Sequence, residues 1–479
     1  MKMSLCLKFS LLNVFEIICV IILVGSCSSR IAECRNVMVF DKDTSVEYPA
    51  INCRKHSAFL TDYGGVGDGK TLNTKAFQDA IANLSKYTSD GGVELIVPPG
   101  RWLTGSFNLT SHFTLFLHKD AVLLGSQNEE DWPIIAPLPS YGVEKEFPEG
   151  RFASLLSGMN LTDVVITGNN GTIDGQGAPW WEKYKKREIK ATRPYLIELM
   201  YSSQLQITNI TFINSPSWHI HPIYCSNVYI KQVTILAPIE VPNTDGINPD
   251  SCSNCLIEDC YIVSGDDCIA IKSGWDQYGL KVAMPTEHLV VRRLTCISPD
   301  SATIALGSEM SGGIQDVRVE DVIAVDTQSG VRIKTAAGRG GFIKDIFVRR
   351  MTMKNMKYVF WMTGAYKSHP DDGFDPNALA EITGINYSDI VADNVTITAA
   401  LDGFSKAPFS GICISNATIT LSEDAKELQW NCTNVKGVSS HVTPKPCDSL
   451  PEQDTKCTFP EDKLAIETVK MQTCKATSI

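Results

Sequence analysis

Ile207-Thr208-Asn209-Ile210 returns down the chain as Ile230-Lys231-Gln232-Val233, Ile257-Glu258-Asp259-Cys260, Val291-Arg292-Arg293-Leu294, Val319-Glu320-Asp321-Val322, Val348-Arg349-Arg350-Met351, Tyr387-Ser388-Asp389-Ile390 and Ile414-Ser415-Asn416-Ala417. Each unit is an apolar residue, two mostly polar ones, then another apolar or small one. Successive starts lie 23, 27, 34, 28, 29, 39 and 27 residues apart. Apolar and polar residues alternate around each unit, as in Val317-Arg318-Val319-Glu320. Period two means strands, not helices. An offset of three cannot keep both apolar ends on the inside of one straight strand, because side chains alternate faces. A corner must therefore lie between them. Short strands, corners and a period in the twenties describe an all-β solenoid, in which stacking buries what no single coil can bury alone. The spacings of 34 and 39 predict insertions near Trp275–Glu287 and Gly364–Ile382, which a solenoid carries as loops on one face or rim.

Outward from the repeats the pattern changes. Asn73 to Lys86 has helical spacing, with Ala76, Phe77, Ala80, Ile81 and Leu84 on one face, and predicts a helix capping the open end of the solenoid. The glycines of Gly64-Gly65-Val66-Gly67-Asp68-Gly69 make a tight turn; no Gly-Lys-Ser/Thr follows to make a phosphate loop. Residues 1–29 read as a secretory signal: Lys2 and Lys8 precede an apolar stretch, Leu11 to Val24, and small residues follow. An uncleaved anchor is the alternative. Residues 30–54 then form an N-terminal segment, 55–431 the solenoid, and 432–479 a Cys-containing tail over the far end.

Of the 16 Cys, Cys6, Cys19 and Cys27 leave with the signal, and the remainder favour disulfides in an oxidising compartment. Cys252, Cys255, Cys260 and Cys268 include a C-x-x-C that also fits zinc, but no His follows at finger spacing. Cys432, Cys447, Cys457 and Cys474 predict staples for the tail. Nine Asn-x-Ser/Thr triplets agree with export. The formal net charge of −11 excludes nucleic acid as a natural partner. An acidic polymer would need a local basic patch.

Two acidic clusters stand on neighbouring repeats: Asn243-Thr244-Asp245-Gly246 and Gly265-Asp266-Asp267-Cys268. Stacked strands are about 4.8 Å apart, so the carboxylates can converge. Asp266 and Asp267 share a cleft only at a turn or bulge, which Gly265 permits. Crowded carboxylates cannot all ionise easily, and one protonated beside one ionised carboxyl is the equipment of glycoside hydrolysis. Turn capping or calcium binding fits the same residues. In Val331-Arg332-Ile333-Lys334, alternation places Arg332 and Lys334 together on the outer face, a positive pair for an acidic sugar or simply a solvated face.

Asn243-Thr244-Asp245, Gly265-Asp266-Asp267 and Arg332-Ile333-Lys334, in this order and spacing, resemble glycoside hydrolase family 28, the polygalacturonases. The resemblance runs from Tyr63-Gly64-Gly65 through Pro98-Pro99-Gly100, Asp174-Gly175-Gln176-Gly177 and Trp180-Trp181 to about Leu421. It implies a right-handed parallel β-helix and inverting hydrolysis of pectic polysaccharide without metal or cofactor. It also implies a secreted, cell-wall, monomeric enzyme with no membrane partner beyond a possible N-terminal anchor. Asp266 then looks like the general acid, and Asp245 and Asp267 like the residues activating water. Arg332 and Lys334 look like the holders of a galacturonate carboxylate, with Asn243, His221 and Lys272 also binding substrate. Inversion predicts acid and base carboxyls about 6.5–9.5 Å apart. One departure is plain: where the family has Gly-His-Gly, Pro299 to Thr303 reads Pro-Asp-Ser-Ala-Thr. Either the cleft lacks a histidine or another residue, with His219 and His221 as candidates, stands in. Asn248-Pro249-Asp250-Ser251 and Gly307-Ser308-Glu309 resemble the exo-acting, plant-type branch. The alternatives are a pectin-binding wall protein that no longer cuts, a calcium-dependent lyase, and a hydrolase of rhamnogalacturonan.

Overall fold

A computed structural model describes residues 53–469, together with the backbone of Glu47–Tyr48 and Lys470–Met471. The expected signal, residues 1–29, most of the 30–54 segment and Cys474 lie outside the described residues. No described helix is long and apolar enough to cross a membrane.

The chain winds as a right-handed parallel β-helix. Each central coil contributes three strands. One coil, for example, runs Ile220–Ile223, Ser226–Lys231 and Thr234–Leu236. The repeat units stack in register: Ile207, Ile230, Ile257, Val291, Val319, Val348, Tyr387 and Ile414 are successive partners. All are buried, and they form one continuous core with the second apolar residue of each unit.

The corner required inside each unit is a single left-handed residue. Asn209, Gln232, Asp259, Arg293, Asp321, Arg350, Asp389 and Asn416 have φ between 52° and 57°. That conformation costs roughly 1–2 kcal/mol in a non-glycine residue. It turns the chain so that the apolar residues on both sides point inward. Asn and Asp tolerate it, while the two arginines there reach back to carboxylates of the preceding coil. Arg293 Nε donates to Asp259 at 2.5 Å and Arg350 Nε to Asp321 at 2.6 Å.

The helix Thr74–Leu84 buries the predicted face, and Phe77 stacks on Phe107 at 4.4 Å between ring centroids, closing the first coils. The far boundary differs from expectation. Trp430–Thr433 and Val435–Thr443 pair with Glu381–Asp402 and Phe409–Leu421, so the solenoid runs past residue 431. Leu450 covers the last coil from within the core. The tail then doubles back: Cys457 bonds Cys413, Arg318 donates to the Asp462 carbonyl at 2.7 Å, and Ile466 packs on Leu256 and Val290.

The cysteines depart further from expectation. Cys268–Cys296 joins neighbouring coils and Cys432–Cys447 closes a 15-residue loop. Cys252, Cys255 and Cys260, however, are buried free thiols, as is Cys225. They serve as small inward residues, and Cys252 Sγ donates to the Pro222 and Asp250 carbonyls, each at 3.2 Å.

The corners generate a direct test. Gln232→Val should lower stability by about 1–2 kcal/mol, because a β-branched residue resists positive φ, whereas Gln232→Gly should be neutral or stabilising. Urea midpoints of the two variants check the sign of the difference.

Candidate active site

Asn243-Thr244-Asp245 lies in the loop entering Ile247, and Gly265-Asp266-Asp267 lies in the loop entering the Ile269–Ile271 strand. Ile247 and Ile269 are bridge partners, so the two loops sit one strand spacing apart. Oxygens of Asp245, Asp266 and Asp267 fall within 4.8 Å of one another. Asp266 and Asp267 share the cleft because residues 264–268 form a bend, not a strand. Close approach demands glycine there: a Cβ on Gly265 would lie 2.1 Å from the Val241 carbonyl oxygen. The oxygen spacing corrects the expected gap of about 6.5–9.5 Å between acid and base. Side chains from adjacent coils converge at the stacking distance itself.

The three carboxyls live in different surroundings. Asp266 is partly exposed and the other two are buried. Asp266 accepts from the N–H groups of Asn243 at 3.0 Å and Asp267 at 2.9 Å. The Ser301 hydroxyl lies 3.0 Å from Asp266 Oδ1 and 2.5 Å from Asp267 Oδ1, and the Ala302 N–H donates to the latter at 3.1 Å. Burial pushes the Asp267 carboxyl up, but the Lys334 ammonium 2.5 Å away and Ser301 outweigh it and hold the group below the usual carboxylate range. Burial and then the Asp266 charge push Asp245 well above that range, against the weaker pull of Lys272 at 3.9 Å. The raised carboxyl is thus Asp245.

The basic residues divide by partner. Lys334 is spent on Asp267. Lys272 bonds Glu309 at 2.7 Å and lies over the Trp218 ring at 4.5 Å. Burial opposes ionisation of Glu309, yet Lys272 and Ser308 bring its pKa down to about 2. Arg332 stacks on Trp361 at 3.6 Å and lies 5.7 Å from the Tyr366 ring centre, and among the described residues it has no carboxylate partner.

His221 requires correction as a substrate-binding residue. It is fully buried beneath Tyr195 and Trp218, with Nδ1 3.1 Å from Glu198 and Nε2 3.4 Å from Asp250. Burial opposes its charge, but those two carboxylates raise its pKa. Period-two alternation points it off the sheet, but a tightly packed loop covers it: Tyr141 from that loop donates to the same Asp250. His219 is also buried, pushed down to about 4 by desolvation, and its Nδ1 lies 2.9 Å from the Asp245 carbonyl oxygen. Neither ring touches the three carboxylates. Ser301, within the divergent Pro299–Thr303 stretch, occupies that position instead. Sequence reading missed it, along with Glu309, Arg193 and Trp361; the signal for Ser301 was its place in the one stretch that breaks the pattern.

Three segments wall the cleft. The helix Asp276–Val282 meets residues 364–380, with Tyr278 donating to Asp371 at 2.6 Å. Trp275 N–H donates to the Ser140 carbonyl at 2.8 Å, and Lys145 N–H to that of Pro370 at 3.0 Å. These contacts close one side into a pocket lined by Arg193, Trp218, Asn243, Glu309, Tyr366 and others. It adjoins the carboxylates through Asn243, which bonds Asp266, and through Glu309, which bonds Lys272.

Comparison with known proteins places the chain in a family. A family model described as glycosyl hydrolases family 28 matches residues 142–444. A probable polygalacturonase of Vitis vinifera is 59% identical over 471 residues, covering 98% of this chain and 95% of the relative. An exopolygalacturonase of Zea mays is 27% identical over 79% of this chain and 87% of its own length. Among solved structures, a Thermotoga maritima exopolygalacturonase superposes with a TM-score of 0.69 at 25% identity, covering 82% of this chain and 92% of that one. The chain is therefore a glycosidase and belongs to glycosyl hydrolase family 28.

Proposed function

We propose that this glycosidase hydrolyses α-1,4-galacturonan in an extracellular, cell-wall setting, taking substrate from a chain end. One observation carries the reading: three aspartates converge within 4.8 Å beside a pocket walled on one side. The names of the Vitis vinifera and Zea mays relatives support the substrate, and the disulfides support an oxidising compartment.

Asp266, the most exposed of the three, donates a proton to the leaving glycosidic oxygen. Asp267, kept ionised by Lys334, and Asp245 hold the attacking water. Hydrogen bonds of about 2.8 Å from one water to two carboxylate oxygens fit oxygens that lie within 4.8 Å of one another. No metal is needed, because Lys334 and Lys272 supply the positive charge that balances the cluster. Arg332, preorganised on Trp361, is the guanidinium open to a galacturonate carboxylate. The wall built by residues 137–150, 275–282 and 364–370 leaves room for the end of a polymer and obstructs its continuation.

Product analysis on defined oligogalacturonides tests the reading. Monogalacturonate released from one end, with little early loss of polymer viscosity, is the expected pattern; random fragments would show an open cleft, and no cleavage would leave a binding protein. Asp266→Asn should lose on the order of 10²–10⁴-fold in turnover, since an amide cannot act as the acid. Arg332→Ala should cost about 2–4 kcal/mol in kcat/KM. Unchanged kinetics there would show that Trp361, not substrate, is its only partner.

A further inference from the structure

Arg193 enters the cleft from an earlier coil than either aspartate loop. Its side chain is 4% exposed, lies over the Tyr184 ring at 3.9 Å and lines the pocket. Nη1 donates to the Pro216 carbonyl at 2.9 Å and Nη2 to Asn243 Oδ1 at 2.8 Å. Among the described residues it forms no ion pair. Burial disfavours its charge, and Tyr184 and Tyr195, then Asp245 and Asp266, partly restore it. A guanidinium held in such a place is expected to use both its charge and its two-pronged shape.

Both uses are visible. Asn243 has φ 60°, and its N–H donates to Asp266 beside that of Asp267. With Oδ1 gripped by Arg193, that left-handed residue is anchored from outside its own loop. The charge of Arg193 adds to the field on the Asp245–Asp266 pair. Lys272 and Lys334 face the pair with the same sign; Asp267 and Glu309 oppose them, and the phenols of Tyr184 and Tyr195 border the guanidinium.

We propose that Arg193 is a positioning residue of the hydrolysis, fixing Asp266 through Asn243 and placing a fixed positive charge beside Asp245 and Asp266. The proposal rests on the hydrolase reading and adds a residue outside the Asn-Thr-Asp, Gly-Asp-Asp and Arg-x-Lys motifs.

Two variants of the full chain separate geometry from charge. In Arg193→Gln, kcat on an oligogalacturonide should fall on the order of 10–100-fold with KM little changed. Both limbs of its pH–rate profile should move up by about half to one unit, because the carboxylates lose a neighbouring cation. Arg193→Lys keeps the charge but not the fork, so its kcat should stay low while its pH limbs return to those of the wild type. Wild-type pH limbs in Arg193→Gln, or a change in KM alone, would overturn the proposal. Difference infrared titration provides a readout independent of turnover. The carboxyl C=O band of Arg193→Gln should persist to higher pH than that of the wild type, and this difference should vanish in an Asp245→Asn background. A chain that cuts no galacturonan but shows the infrared shift would refute the substrate reading and leave the role of Arg193 standing. An unmoved infrared titration would refute that role whether or not the chain is active.

Discussion

In-register stacking of parallel coils, at about 4.8 Å per layer, is the constraint on which everything else depends. It makes one inward column from residues far apart in the chain: Ile220, Ile247, Ile269, Ile304 and Val331 are consecutive neighbours. The residues flanking that column are ordered by the same stack. Asp245 precedes Ile247, Asp266 and Asp267 precede Ile269, Ser301 precedes Ile304, and Arg332 and Lys334 flank Ile333. Chemistry is laid along a line because the backbone admits only one spacing between its parts.

The same spacing creates the site's electrostatic problem. Three carboxyls one layer apart repel, and burial worsens the repulsion. The fold answers with fixed positive groups in the adjacent layers, Lys334 on Asp267 and Lys272 near Asp245. Buried pairs of this kind contribute little net stability. Their value is a polarity set before substrate arrives: Lys334 holds Asp267 ionised, while burial and the neighbouring Asp266 raise Asp245 against the pull of Lys272.

Much of this was legible in the residues. The apolar-polar-polar-apolar unit marked one corner in each of the coils that carry it, because no straight strand buries both ends, and the long spacings located the two insertions. The Asn-Thr-Asp and Gly-Asp-Asp clusters could be placed on adjacent coils from spacing alone. What escaped was set by packing between distant segments. His221 alternates correctly but is buried under a loop 80 residues earlier, held there through Tyr141 and Asp250. Lys334 points toward the aspartates as expected, but it is consumed by one of them. Cys252, Cys255 and Cys260 suit a disulfide by count, whereas their positions make them core side chains. Arg193 belongs to no motif and acquires its place only when the coil carrying it passes beneath Asn243.

The closeness of the carboxylates makes stereochemistry the sharpest question. Separations of about 5 Å accompany a covalent, retaining route in many glycosidases, whereas a water held between Asp245 and Asp267 gives a single displacement. Proton NMR of the first sugar released, recorded before mutarotation, separates the two. The account predicts the β-anomer from the α-linked polymer. A first product in the α form would contradict it, because one of the aspartates would then have attacked the sugar directly.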